Sequence, residues 1–259
     1  MSFAEDLALA HELADIADAI ALPRFMAQDL QVETKPDDSP VTDADRATER
    51  AIKAKLAEAR PNDALIGEEY GTSSGTGNRT WIIDPIDGTA NFMRGVPVWA
   101  SLIALAVDGK PVVSVVSAPA MGRRWWAAPE VGAHTRDIDG SERPIRVSNI
   151  SDAAHASISY NNLRLWDASG KLGQLVEFSR SLWRTRAYGD FWSYMLLAEG
   201  SLEIVAEHDL KIYDIAALVP IVEQAGGKLT ALDGPLTAET SSVLATNGKL
   251  HALATAALS

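Results

Sequence analysis

Trp81-Ile82-Ile83-Asp84-Pro85-Ile86-Asp87-Gly88-Thr89-Ala90-Asn91-Phe92 is the stretch that decides how the chain is read. It begins as an apolar strand, Trp81 to Ile83, and stops at two carboxylates held around a proline. Asp84 and Asp87 sit three residues apart on a stiff turn, so both can face one point. Acids crowded in this way repel unless a cation neutralises them or one takes up a proton. Gly88 and Thr89 follow, where a short helix can start, and backbone N–H groups at such a start suit a phosphate. Two acids, a tight turn, a hydroxyl and unpaired amides are the parts of a metal-assisted phosphate site. A turn alone does not need two acids, which separates this run from an ordinary loop.

Upstream, residues 3–26 read as one helix, with Leu7, Ala10, Leu13, Ala14, Ala17 and Ile20 at helical spacing. Residues 29–40 are polar, carry Pro36 and Pro40, and read as an irregular loop. Thr42-Asp43-Ala44-Asp45 resembles a capping box, with Asp in place of the usual Glu or Gln, and opens a second helix. Ala47, Ala51, Ile52 and Leu56 mark that helix's expected buried face. A short strand at 64–67 runs into Glu68 and Glu69, and 71–78 is a glycine- and serine-rich loop. Downstream, apolar strands at 99–107 and 111–118 are joined by Asp108-Gly109-Lys110, a hairpin signal. Residues 123–128 make a third strand, whose Trp125 and Trp126 read as strand and interface residues.

After Ser151 the pattern changes. Strands at 156–160, 182–186, 202–206, 228–231 and 243–246 alternate with helices at 171–179, 191–199, 212–225 and 249–258. Such alternation suggests strands covered by helices. The expected organisation is one unit with two parts: residues 1–148, helices plus an antiparallel sheet carrying most of the acids, and residues 149–259, an α/β subdomain.

The 259 residues are 47% apolar, enough for a large core. Lys plus Arg, 23, against Asp plus Glu, 35, gives a net charge of −12, which argues against nucleic-acid or anionic-membrane partners. With no cysteine, disulfides, thiolate zinc sites and cysteine nucleophiles are excluded. Residues 1–13 read as an acidic amphipathic helix without a basic leader or a long apolar run. No signal peptide and no membrane span are therefore expected, and the location expected is cytoplasmic. The histidines at 11, 134, 155, 208 and 251 lack zinc-ligand spacing; His208 reads as a local hydrogen-bonding residue.

Acids recur at element ends: Asp45, Glu68, the Asp84/Asp87 pair, and Asp214 at the start of a helix in Tyr213-Asp214-Ile215-Ala216-Ala217. Each alone has an ordinary reading, Asp45 as a cap and Asp214 as an acid favoured by the helix dipole. Together they form an oxygen-only set suited to a hard cation such as Mg²⁺. Gly67-Glu68-Glu69, the run from Trp81 to Thr89, and Tyr213 to Ala217 resemble, in order and spacing, the three signature stretches of the inositol monophosphatase family of Mg²⁺-dependent phosphatases. Tyr213 departs from the family's usual Trp. The resemblance covers the whole chain and implies a layered α-β-α-β-α sandwich and a homodimer. It also implies two or three Mg²⁺ per site, with Mn²⁺ able to substitute.

By the same resemblance, Glu68, Asp84, Asp87, Asp214 and the Ile86 carbonyl are metal ligands. Thr89 and Glu68 orient and activate the attacking water, and Asp45 helps to place a third metal and its water. Physical reasoning adds that the phosphate would rest on the amides of Gly88 and Thr89, with Asp87 and Asp214 lining the same site.

Substrate choice must come from outside the cage. Arg186-Ala187-Tyr188-Gly189-Asp190, with Tyr194 beyond, resembles the histidinol-phosphatase branch of the family. Asp190 and Glu207 would suit an ammonium or imidazolium, which neutral inositol lacks, and Arg186 would hold the phosphate or steady an acid. Asp190 as a plain N-cap is the competing reading of that residue. The alternatives for the whole chain are an inositol-1-phosphatase, another small sugar or nucleotide phosphatase, or a non-catalytic metal-binding relative.

Overall fold

A computed structural model describes residues 3–36 and 39–259. Met1 and Ser2, at the head of the expected amphipathic helix, and Asp37 and Asp38, in the expected 29–40 loop, lie outside the described residues. The first half runs α1 (Ala4–Ala21), β1 (Val32–Thr34), β2 (Pro40–Thr42), α2 (Asp43–Ala59), β3 (Ala64–Gly67), β4 (Gly71–Ser73) and β5 (Arg79–Asp87). It continues with α3 (Thr89–Met93), β6 (Ala100–Val107), β7 (Lys110–Ala118), β8 (Arg123–Ala128), β9 (Gly132–Arg136) and β10 (Glu142–Pro144). The second half begins with β11 (Ser157–Tyr160), α4 (Leu163–Ala168), α5 (Leu172–Ser179), β12 (Arg184–Arg186), α6 (Asp190–Ala198) and β13 (Ile204–His208). It ends with α7 (Ile212–Ile215), α8 (Leu218–Gln224), β14 (Lys228–Ala231), β15 (Ser242–Thr246) and α9 (His251–Leu258).

Eight strands form one sheet in the order β10-β9-β8-β7-β6-β5-β3-β4, antiparallel except where β3 runs parallel to β5. Five form a second, β12-β11-β13-β15-β14, parallel through β13 and antiparallel beyond it. Strand alternation decides the layers. Trp81, Ile83, Ile103 and Leu105 face one side of the large sheet and pack on Leu7, Leu13, Ala17 and Ile52 of α1 and α2. Ile82, Leu102 and Ala104 face the other side, against Met195, Leu197, Ile221 and Val222 of α6 and α8. Val205, Val243 and Ala245 of the small sheet close the same core. The small sheet's far face, Ile204, Ala206 and Leu244, packs on Trp166, Leu175 and Ala254 of α4, α5 and α9. The stack is helix, sheet, helix, sheet, helix, the layered sandwich expected.

Several elements differ from the sequence reading. The first helix stops at Ala21 and passes into a short 3₁₀ turn at Leu22–Arg24, because Pro23 has no N–H with which to continue an α-helix. The 29–40 segment is not all loop: β1 pairs with β2 from Val32↔Thr42 to Thr34↔Pro40. The 71–78 loop likewise begins with β4, paired to β3. The helix expected over 212–225 is two helices, since Pro220 cannot donate to the carbonyl at Ala216, where the break falls. Strands β9 and β10 and helix α4 were not anticipated. Trp125 and Trp126 are 0% and 7% exposed, packed inside their own chain, which removes that pair as the expected interface.

Candidate metal and phosphate site

The Asp-Pro-Ile-Asp run does not follow its strand but ends it. Asp84 pairs with Leu102 and Asp87 with Ala100 of β6, so three steps on β5 match two on β6 and the strand bulges. Pro85, which has no N–H for the ladder, sits in the bulge, and its carbonyl accepts from Ser101 Oγ at 2.7 Å. The Asp84 carboxylate turns back to accept the Ile86 N–H at 3.0 Å. Gly88 has φ +84°, and a Cβ there would lie 2.9 Å from the Val98 carbonyl, so glycine is required. Thr89 then opens α3, which Phe92 anchors edge-on to Trp99 at 4.9 Å.

Carboxylate oxygens of Asp84, Asp87 and Asp214 lie within 4.8 Å of one another. Asp214, on α7, is aimed by the Lys211 N–H, which donates to its Oδ2 at 2.7 Å. The N-terminus of α6 steadies Asp87, with the Phe191 N–H donating to Oδ2 at 2.8 Å. Glu68, in the turn after β3, lies outside that group of three, but its charge is among those that act on Asp84. Burial first, and then the neighbouring charges, hold Asp84 and Asp87 well above the usual carboxylate range. Burial, with Glu68 adding to it, raises Asp214 to about 7. Crowded acids starved of countercharge, all offering oxygen, are a donor set that fits Mg²⁺.

Asp45 closes the other side. It is 0% exposed, and the anticipated capping box is present: Thr42 N–H and Oγ donate to its Oδ2 at 2.8 and 2.5 Å. Its Oδ1 lies 3.4 Å from the Thr89 hydroxyl, which is also 3.0 Å from the Ile86 carbonyl. Burial raises Asp45 to about 6. Lys35, from the arm after β1, places its ammonium 2.6 Å from both Glu68 and Glu69. Burial raises Glu69 to about 7 in spite of that ammonium.

Next to the acids is a cavity of about 70 Å³ lined by Asp87, Asn161, Asp190, Tyr194, Glu207 and Asp214. Asp190 is not a cap: it is the first residue of α6, with φ +49°, and its carboxylate accepts from Asn91 Nδ2 at 2.6 Å. Glu207, 2% exposed on β13, accepts from the Tyr194 hydroxyl at 3.0 Å through Oε2, while its Oε1 has no partner. Burial raises Glu207 to about 8 and Asp190 to about 6. The Oδ1 of Asn161 is also buried without a partner, its amide nitrogen being held by the His208 carbonyl at 2.7 Å. Strand alternation sends His208 to the opposite side, edge-on to Trp166 at 4.5 Å. Arg186, on the edge strand β12, is exposed and donates to the Thr185 carbonyl at 2.7 Å; it does not line the cavity.

The sequence reading missed Lys35, Asn91, Asn161 and Tyr194. Asn91 stands inside the opening stretch and Tyr194 beside the branch motif, neither with a role assigned. Lys35 and Asn161 carry no spacing signal; only tertiary structure brings them to the acids.

The description of the inositol monophosphatase family matches residues 3–259. A histidinol-phosphatase from Streptomyces coelicolor is 51% identical over 253 residues, covering 96% of this chain and 95% of that protein. One from Mycobacterium tuberculosis is 51% identical over 249 residues, covering 95% of each. The solved structure of an inositol monophosphatase from Zymomonas mobilis superposes with a TM-score of 0.87 at 34% identity, covering 100% of this chain and 99% of that one.

Proposed function

Because the chain belongs to the inositol monophosphatase family and is a phosphomonoesterase, we propose that it hydrolyses L-histidinol phosphate to L-histidinol and phosphate, a step of histidine synthesis. The observation that carries this reading is the cavity beside the Asp84/Asp87/Asp214 cluster, where acids and two buried acceptor oxygens wait for donors. Unpaired buried acceptors are costly, and a substrate bearing an ammonium and an imidazole supplies the missing N–H groups. A neutral polyol carries no cation to offset Asp190 and Glu207. The 51% identity to histidinol-phosphatases, against 34% to an inositol monophosphatase, supports the same choice.

Glu68, Asp84, the Ile86 carbonyl, Asp87 and Asp214 would hold two or three Mg²⁺, with Mn²⁺ as a substitute. The cations, when bound, offset the charge of the phosphate oxygens and make a bound water nucleophilic near neutral pH. The amides of Gly88 and Thr89 take the phosphate. Glu68 and the Thr89 hydroxyl orient the attacking water. Thr89 has one proton and two acceptors; with the Ile86 carbonyl engaged as a ligand, Asp45 takes that proton, and the Thr89 lone pairs face the water. The water oxygen joins phosphorus as the ester oxygen leaves on the opposite side. Asp45 passes that proton on to solvent, and a water on the far side protonates the departing alkoxide.

Asp190, aimed by Asn91, and Glu207 receive the cationic end of the substrate. The two halves, 1–148 and 149–259, contribute different work: the first most of the metal ligands, the second Asp214 and the specificity residues. A cytoplasmic homodimer completes the reading. Among the described residues, no helix is long and apolar enough to cross a membrane.

The chemistry is tested by Asp87→Asn. The amide still accepts the Phe191 N–H, so the fold should hold while phosphate release drops at least about 100-fold. Near-normal turnover at saturating Mg²⁺ would remove Asp87 from the site.

A further inference from the structure

The turn that presents Glu68 is held from below by a residue outside the acid cluster. Glu49 lies one helical turn after Asp45 on α2, on the same face. It is 0% exposed. Its Oε2 accepts the Glu69 N–H at 2.7 Å, and its Oε1 accepts the Tyr70 N–H at 3.0 Å. These are successive amides of the turn between β3 and β4, and the buried carboxylate gives each of them an acceptor. The approach is close enough to dictate the neighbouring residue. A Cβ on Gly67 would lie 2.0 Å from Glu49 Oε1 and 2.5 Å from its carboxyl carbon. Gly67 has no unusual backbone conformation to explain it; the carboxylate occupies the space.

We propose that Glu49 is a positioning residue for the metal centre, its carboxylate fixing the Glu68-Glu69-Tyr70 turn so that the Glu68 side chain keeps its aim at the acid cluster. The proposal rests on the reading of Glu68 as a metal ligand. Each oxygen of Glu49 serves a different N–H, so a carboxylate is needed. An amide of the same size offers one acceptor and turns an NH₂ toward a backbone N–H. The turn would relax, and Glu68 would lose its aim with no metal ligand altered. Groups that orient a ligand in this way affect metal affinity by about 10- to 100-fold when replaced.

The experiment follows the melting temperature of the full chain against Mg²⁺ concentration for wild type, Glu49→Gln, Gly67→Ala and Glu68→Gln, with kcat measured at low and saturating Mg²⁺. Glu49→Gln should need about 10- to 100-fold more Mg²⁺ for half of the thermal gain. Its kcat should largely return at saturating Mg²⁺. Glu68→Gln should stay impaired at every Mg²⁺ concentration. If Glu68→Gln shifts the Mg²⁺ dependence and Glu49→Gln does not, the positioning role is overturned. If Glu68→Gln leaves Mg²⁺ binding unchanged, the reading of Glu68 as a ligand is overturned, and the proposal with it. Should Glu49→Gln give no cooperative melt, Gly67→Ala decides, because its methyl must push the Glu49 carboxylate off the turn. A shifted Mg²⁺ dependence supports the role, and an unshifted one refutes it.

Discussion

Asp214→Asn should make the metal-free protein more stable while disabling it. Asp214 shares a space of 4.8 Å with Asp84 and Asp87. Its aim comes from the Lys211 N–H at 2.7 Å, and an amide oxygen can accept that bond as well. Burial, with Glu68 adding to it, raises Asp214 from the ordinary 3.8 to about 7. Between those values the folded protein keeps a proton that the unfolded chain has released. Stability contributed by this group therefore falls as pH rises from 3.8 to about 7 and stays low above it. At about 1.4 kcal/mol per tenfold change, the loss is at most about 4 kcal/mol, shared with the acids around it. Asparagine carries no such penalty. In EDTA at pH 8, Asp214→Asn should melt about 5–15 °C above wild type, a gap that closes toward pH 4. Mg²⁺ should narrow the gap and close it at high excess, since wild type gains about 2.7 kcal/mol at a hundredfold and about 4.1 at a thousandfold excess over Kd, and the variant little. Calorimetry across pH, with and without Mg²⁺, reads both effects. A variant that melts below wild type at pH 8 without metal, or that gains as much from Mg²⁺, would refute the reasoning.

Asp190→Asn should lower kcat/KM for histidinol phosphate by roughly 10- to 100-fold, the value of one charge-assisted contact. It should change p-nitrophenyl phosphate hydrolysis less than about threefold, and equal losses on both substrates would remove Asp190 from recognition. His251 is hydrogen-bonded to Thr230 and Thr246 at 3.2 and 3.1 Å, and burial lowers it to about 4. The unfolded chain binds that proton below its ordinary 6.5, so stability should be lost as pH falls from 6.5 toward 4. NMR titration of the ring should give a midpoint near 4; a midpoint at or above 6 would contradict this.

Much of the chemistry was legible because it is local. Asp84, Asp87, Gly88 and Thr89 lie on one bulge and one helix start, and the Thr42/Asp45 box is a four-residue device. The strands of the large sheet were legible where apolar residues run unbroken, as in Trp81, Ile82 and Ile83, because both faces of that sheet are covered. What stayed hidden is tertiary. Neither the Asn91–Asp190 bond across 99 residues nor Glu49 beneath Gly67 leaves a periodic trace. The strand bearing Glu207 ran two residues later than its apolar pattern suggested, because a buried acid interrupts that pattern. Asp190 looked like a cap by position, but its positive φ turns the carboxylate to Asn91 instead. Arg186 stood beside the right residues in sequence and on an exposed edge in space.

The most direct test compares phosphate release by the Mg²⁺-loaded protein from histidinol phosphate and from inositol-1-phosphate. The account predicts a kcat/KM for histidinol phosphate higher by on the order of 100-fold or more, since buried acceptors left unpaired penalise the wrong substrate. Equal turnover of the two, or a preference for inositol-1-phosphate, would contradict it.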